Sequence, residues 1–418
     1  MEQKPQSQSA TDSLRPARGS WGRVRTWSTK AEFEFRACPS PARVGQDLYF
    51  SRARGHTVLR KIRLAVLLGI SLLPPLLQRW AYALLFGARF GRGVRIGVFS
   101  FIDCQKIELG NFVNIGRNVR IVAKSVQLQG ECRIGPGVRI TVNRLVMAWR
   151  AIIDESVVVA GEHLDSRSLL VMGMHSWVFP QCVVDVRRQV MMGRNVGVGG
   201  RSLLFTHGYW LSKVQGFPTS YAPVRLGNDV WIPWNCFIMP GVEIGNRVVV
   251  GACSLVTRSV PDDALVAGVP AKVVRERSAR VLTEPEQIAV ATELVDEYLA
   301  STSPASTRTG DGAEFLWSEG GQKTFAVTAT LETACARYQR TDNLKLILVL
   351  GEISESAVAL STLPLCSLAT GITTPEALLD SGALDLLRWS RRVGVRSYHA
   401  DEWIESERLL EEFRPGQH

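Results

Sequence analysis

The 418-residue chain has eight cysteines but no Cys-x-x-Cys pair. Without that spacing there is no zinc ribbon, redox pair or disulfide framework to read. The cysteines are expected to behave as small apolar residues in a reducing compartment. No apolar run precedes residue 62, so no secretory leader is expected. Charge is sparse at 21% and uneven. Residues 1–63 hold 13 Lys/Arg against 5 Asp/Glu, and so supply +8 of the net +10. Histidine is scarce, with six in the chain. A zinc hydratase of the carbonic-anhydrase kind needs three histidines converging on the metal, and no second histidine closely follows His207.

What the chain does have is a six-residue period. From Leu226 to Pro261 it reads LGNDVW IPWNCF IMPGVE IGNRVV VGACSL VTRSVP, with Leu226, Ile232, Ile238, Ile244, Val250 and Val256 in phase. Neither a helix nor a simple alternating strand has this repeat. A parallel β-helix does: each hexad makes one flat face, three faces close a triangle, and the aliphatic residue points inward. Gly227, Gly245 and Gly251 are expected where the chain bends tightly. The same phase can be followed back through Met192/Val198/Leu204, Met172/Val178/Val184 and earlier groups to about Val94, some eight coils in all. Two intervals are long: Gly161 to Leu169, and Leu204 to Leu226.

The expected domains follow from this run. Residues 1–55, rich in Ser, Pro, Gln and Arg, are a disordered basic tail. Residues 56–92 are an apolar, membrane-associated segment, 93–277 the β-helix, and 278–418 a helical connection followed by a small α+β domain. Within 56–92, Leu64 to Gln78 is uncharged for 15 residues, short of the roughly 20 that span a bilayer, and Pro74-Pro75 interrupts it. Three readings stand: an interfacial anchor, a helical pair packed on the protein's own core, or a spanning helix. Flanking Arg60, Lys61 and Arg63, with Trp80 and Tyr82, suit the membrane interface.

The Leu204–Leu226 insertion carries His207, Lys213 and several aromatic residues. A long loop leaving a regular solenoid is commonly functional. A neutral imidazole accepts a proton from a hydroxyl near neutral pH, so His207 is the candidate base. His175, inside a coil, is a candidate supporting residue on the substrate side.

Together, the hexads, Phe205-Thr206-His207, Val230-Trp231-Ile232 and the ending VPDDALVAGVPAK (260–272) resemble the hexapeptide-repeat acyltransferases. The likeness is greatest to the branch of maltose and galactoside O-acetyltransferases and exopolysaccharide acetyltransferases, over some 180 residues. The resemblance implies a left-handed β-helix, acetyl-CoA as donor, no metal, and a homotrimer with its active site between chains. It places the base at His207 and coenzyme contacts at Ala252, Thr257, Arg258, Lys272 and Arg275. The three basic residues suit phosphate groups. A further family contact falls on Trp234, where a bulky indole replaces a small or polar residue. Relatives carry an Asn about one coil before the histidine; Val178-Phe179-Pro180 stands there, and Asp185 is the expected acceptor-side substitute. The implied acceptor is a hydroxyl of a saccharide or lipid-linked saccharide, with no nucleic-acid partner, in a cytoplasmic protein peripheral on the inner membrane face. The competing reading is a β-helix assembly module without catalysis, which Trp234 and the missing Asn favour.

Overall fold

Every hexad opener from Ile96 to Val256 is buried in one continuous core, where equivalent residues of successive coils stack. Three parallel sheets of 8, 10 and 8 strands enclose it. The computed structural model describes residues 57–310 without a break, and segments of the chain between 314 and 413. The tail assigned to 1–55 lies outside the described residues. The described protein is mainly β. Coil 1 begins at Arg89–Phe90, which pairs in parallel with Glu108–Leu109, a few residues before the expected start. Phe90 takes the aliphatic place there, so the hexad pattern did not extend that far. Coil 8 ends at Leu255–Val256. A hairpin, Leu265–Gly268 with Ala271–Arg275, then extends the second sheet.

The corners were expected to fall to glycine, and mostly do not. Gly227, Gly245 and Gly251 are absent from the positive-φ positions; Asp229, Arg247 and Cys253, two residues on, take φ of 58°, 54° and 58°. A left-handed conformation costs a non-glycine residue about 1 kcal/mol or more. Hydrogen bonding between coils offsets it: corner N–H groups of Asn195, Asn235 and Cys253 donate to Met174, Gly200 and Trp234 carbonyls one coil back. The glycines are needed for close approach instead. A Cβ on Gly245 would lie 2.6 Å from the Asp262 backbone nitrogen. Gly245→Ala is therefore expected to destabilise the protein by about 1–3 kcal/mol, read as a lower thermal midpoint. An unchanged midpoint would mean that the coil ends separate freely.

Two helices, α1 (Thr57–Ser71) and α2 (Pro75–Phe86), pack over the open end of coil 1. Unpaired donors of that coil find partners on them: Ile102 N–H donates to Tyr82 Oη (2.9 Å) and Phe99 N–H to the Ser71 carbonyl (3.0 Å). Leu67, Ile70 and Tyr82 join the β-helix core, and Arg63 pairs with Asp103 at 2.7 Å. A solenoid needs such a cap, because its terminal strands otherwise expose a pairing edge. Among the described residues no helix is long and apolar enough to cross a membrane.

Residues 60–418 form one compact unit. After α3 (Glu284–Thr302), opened by a Thr283/Glu286 capping box, comes a seven-stranded mixed sheet and then α4 (Ala400–Glu411). α4 lies back on the outer face of the first sheet. Leu409, Leu410 and Phe413 cover Val146, Val171 and Met174. Glu405 accepts from Trp149 Nε1 (2.9 Å), Glu402 pairs with Arg150 (3.0 Å), and Trp403 stacks under Arg194. The middle coils of the first sheet are thus covered by α4 and the residues that follow it.

Candidate active site

The site is built where the third sheet turns into the first. In coil 5 the third-sheet strand is Val183–Asp185; in coil 6 it is Leu203–Leu204, paired to Val183 and Val184. The chain should then turn into the first sheet, and does so after Asp185. After Leu204 it leaves as a short antiparallel hairpin, His207–Gly208 against Ser220–Tyr221. Phe205 anchors the departure by stacking on Phe237 of the next coil, with ring centroids 5.1 Å apart.

Register alone puts Asp185 beneath this exit. Its Oδ2 accepts three hydrogen bonds: from Thr206 N–H (2.9 Å), from Thr206 Oγ1–H (2.8 Å) and from His207 Nδ1 (2.7 Å). Thr206 Oγ1 in turn accepts from Arg188 N–H (3.0 Å). Asp185 and Thr206 are buried, while the His207 side chain keeps about a fifth of its surface exposed. An ionised carboxylate only accepts, so it fixes the proton on Nδ1 and leaves the Nε2 lone pair free. Buried, with its Oδ2 committed to three donors, Asp185 lies on the Nδ1 side of His207, behind the imidazole rather than at the acceptor-side position expected for it.

Tyr209 and Tyr221 flank the imidazole at centroid distances of 5.6 and 5.9 Å, and the Arg188 guanidinium lies 4.7 Å over the Tyr221 ring. Desolvation, then its hydrogen bond with Tyr209, push the Tyr221 phenol above its ordinary range. Thr206, Arg188 and these two tyrosines were not assigned roles from the sequence. The hairpin register that sets Tyr221 opposite His207 has no signature in the hexads.

His175 is not part of this group. It occupies the corner between the first and second sheets, where its N–H bonds the Trp149 carbonyl, whereas His207 leaves the corner between the third and first. The substrate-side role expected of it has no support in this placement.

The expected coenzyme residues divide between two edges of the prism. Thr257 and Arg258 follow Val256 in coil 8, on the same edge as His207. Strands 203–204, 237–238 and 255–256 are successive, so two strand spacings, about 10 Å, separate them from the His207 loop. Trp234 and Ala252 stand on the edge between the second and third sheets. The Trp234 indole lies across Gly200 of the coil below and is 46% exposed; a Cβ on Gly200 would come within 2.4 Å of it. Lys272 and Arg275 are exposed on the hairpin that ends the second sheet. The width of the third sheet separates one edge from the other.

The protein is a β-helix of hexad coils, with a carboxylate-backed histidine on an inserted hairpin. The family model described as bacterial transferase hexapeptide (six repeats) matches residues 223–258. Galactoside O-acetyltransferase of Escherichia coli K12 is 30% identical over 142 residues, covering 28% of this chain and 70% of that protein. The putative colanic acid biosynthesis acetyltransferase WcaF of the same strain is 32% identical over 108 residues, covering 26% of this chain and 59% of its own length. The crystal structure of a hexapeptide-repeat acetyltransferase of Vibrio cholerae in complex with acetyl coenzyme A overlays with a TM-score of 0.24 at 22% identity, over 53% of this chain and 89% of that one. The chain belongs to the hexapeptide-repeat acetyltransferase family.

Proposed function

We propose that this protein transfers the acetyl group of acetyl-CoA to a hydroxyl of a saccharide, with His207 as general base, in a homotrimer whose active site spans two chains. The observation that carries the reading is the Asp185–His207 pair, which leaves Nε2 free to accept a proton. In the step, Nε2 takes the acceptor's hydroxyl proton as its oxygen attacks the thioester carbonyl. The C–S bond then breaks, the oxygen keeps the acetyl group, and the imidazolium returns its proton to the departing thiolate. Asp185 stabilises the imidazolium between these events without taking the proton itself. The saccharide acceptor is inferred from the relatives, which are named for a galactoside and for colanic acid. The direct test is thiol release from acetyl-CoA in the presence of candidate saccharides. Donor binding without any release across a broad acceptor panel would leave the assembly-module reading instead.

Two observations support the shared site. With α4 on the first sheet, the second and third sheets are the faces left for association. Their outward residues change along the axis, from Arg95, Arg133, Arg120 and Arg139 in coils 1–3 to Trp177, Trp231, Leu203 and Phe237 in coils 5–7. Outward apolar faces of this kind mark contact surfaces. Packing the edge bearing His207 and Arg258 against a neighbour's edge bearing Trp234 and Ala252 would bring both residue sets into one groove. Mixing a His207→Ala chain with a Lys272→Ala/Arg275→Ala chain is therefore expected to restore activity, to about a quarter of wild type for random assembly in closed three-fold rings. Mixed rings no more active than their parents would place the whole site within one chain.

A further inference from the structure

The helical cap has a second face that the β-helix does not use. Leu68, Leu72, Leu76, Trp80 and Leu84 follow one another at four-residue steps across α1, the Pro74-Pro75 turn and α2, and all are exposed, Trp80 by 74% and Leu84 by 86%. The opposite face carries Leu67, Ile70, Gln78 and Tyr82, all buried. Each helix is thus apolar on both sides. One side seals coil 1, and the other is an apolar surface larger than a cap requires.

Around that surface the charge is predominantly positive, and the carboxylates of coils 1 and 2, Asp103 and Glu108, are already paired with Arg63 and with Arg89 and Lys106. Arg92 and Arg95 on coil 1, with Arg117 and Arg120 on coil 2, are exposed. None of the four forms an ion pair with a described carboxylate. Coils are about 4.8 Å apart, so this collar occupies one strand spacing above the apolar face, comparable with the headgroup layer of one leaflet. An apolar base rimmed by unpaired arginines at headgroup depth is complementary to an anionic phospholipid surface. Further along the prism the outward arginines give way to aromatic and aliphatic residues, so the match is confined to the capped end.

We infer that the α1–α2 cap docks on an anionic bilayer, standing the β-helix upright with coil 1 at the headgroups and the His207 loop about five strand spacings, or 24 Å, above them. The helices lie on the bilayer and do not cross it. Because the cap is rigidly tied to coil 1 through Tyr82, Ser71 and Arg63, docking fixes the axis as well as the location. The height of the reaction centre rests on His207 as the base; the docking does not. A lipid-anchored acceptor would then meet His207 only where its saccharide extends that far from the membrane.

The full-length protein should float with phosphatidylcholine vesicles containing phosphatidylglycerol, and much less with phosphatidylcholine alone. Leu72→Glu/Leu84→Glu, both at exposed positions, should reduce bound protein at least tenfold, and Arg92→Glu, at the corner between the first and second sheets, severalfold with a weaker salt dependence. Acetyl transfer to a free saccharide should be unchanged in both variants, so loss of docking and failure of the acyl-transfer reading give separate signals. Brominated acyl chains should quench indole emission that is missing in Trp80→Phe and retained in Trp210→Phe. Wild-type protein that stays with the soluble fraction on both vesicle types overturns the proposal. So does a smaller oligomer in Leu72→Glu/Leu84→Glu, which would make a second copy the occupant of that face. Quenching that vanishes in Trp210→Phe instead would lay the prism on its side and overturn the upright orientation.

Discussion

His207→Ala is expected to lower the turnover of acetyl transfer by about a hundredfold or more, the usual share of a positioned general base, or at least roughly 2.7 kcal/mol of transition-state stabilisation. The fold should tolerate the change. His207 is only partly buried, and its removal leaves the Asp185 carboxylate with two donors, Thr206 N–H and Oγ1–H. Oligomer size and donor affinity should therefore stay near wild type, because the residues expected to hold the coenzyme lie on coil 8, on the terminal hairpin and on the other edge. His207→Asn is the sharper control. Its amide donates to Asp185 as the imidazole does, yet has no basic nitrogen, so the same loss is expected with the hydrogen bond retained. Turnover near wild type in either variant would remove His207 from the mechanism.

The repeating part of this molecule was legible in its sequence, and the parts that depend on long-range pairing were not. A buried residue every six positions leaves a mark that needs no partner to interpret, so the coils, both insertions and the His207 loop could be placed from the hexads. Corners were harder. Glycine is the residue expected at a bend, but here the left-handed φ falls to Asp229, Arg247 and Cys253, because bonds between coils outweigh a modest conformational cost. Covering of the first sheet by α4 joins Trp149 to Glu405 across 256 residues, and no local pattern announces such a contact. The apolar 56–92 segment was ambiguous for a physical reason: its helices bury one apolar face on coil 1 and expose another, so composition alone fits both a core element and an interfacial one. Asp185 was nearer to hand. Val184 and Leu204 share a column, which puts the residue after Val184 directly below the start of the His207 exit. The sequence offered Asp185 only as a substitute for an absent Asn; counting register places it behind His207 instead.

That register carries the other large expectation. Asp185→Asn should lower turnover by roughly ten- to a hundredfold with little change in KM for acetyl-CoA, less than the loss of about 10⁴ seen where the same substitution inverts a histidine tautomer in a serine protease triad. The reason lies in Thr206. Its backbone N–H is an obligatory donor pointing at the Asp185 Oδ2 position, so the asparagine must turn its carbonyl oxygen there. That oxygen still accepts from Nδ1–H, and Nε2 keeps its lone pair. What is lost is the negative charge that stabilises the imidazolium, and that loss falls on turnover rather than on donor binding. Asp185→Ala should behave differently. It strands three donors beneath the loop, at a cost of about 1–3 kcal/mol for a buried group left unpaired, and should lower the thermal midpoint as well as turnover. Unchanged turnover in Asp185→Asn would show that the carboxylate has no part in the reaction. A loss as large as that of His207→Ala would show that the amide nitrogen faces Nδ1, and that Thr206 does not set its orientation.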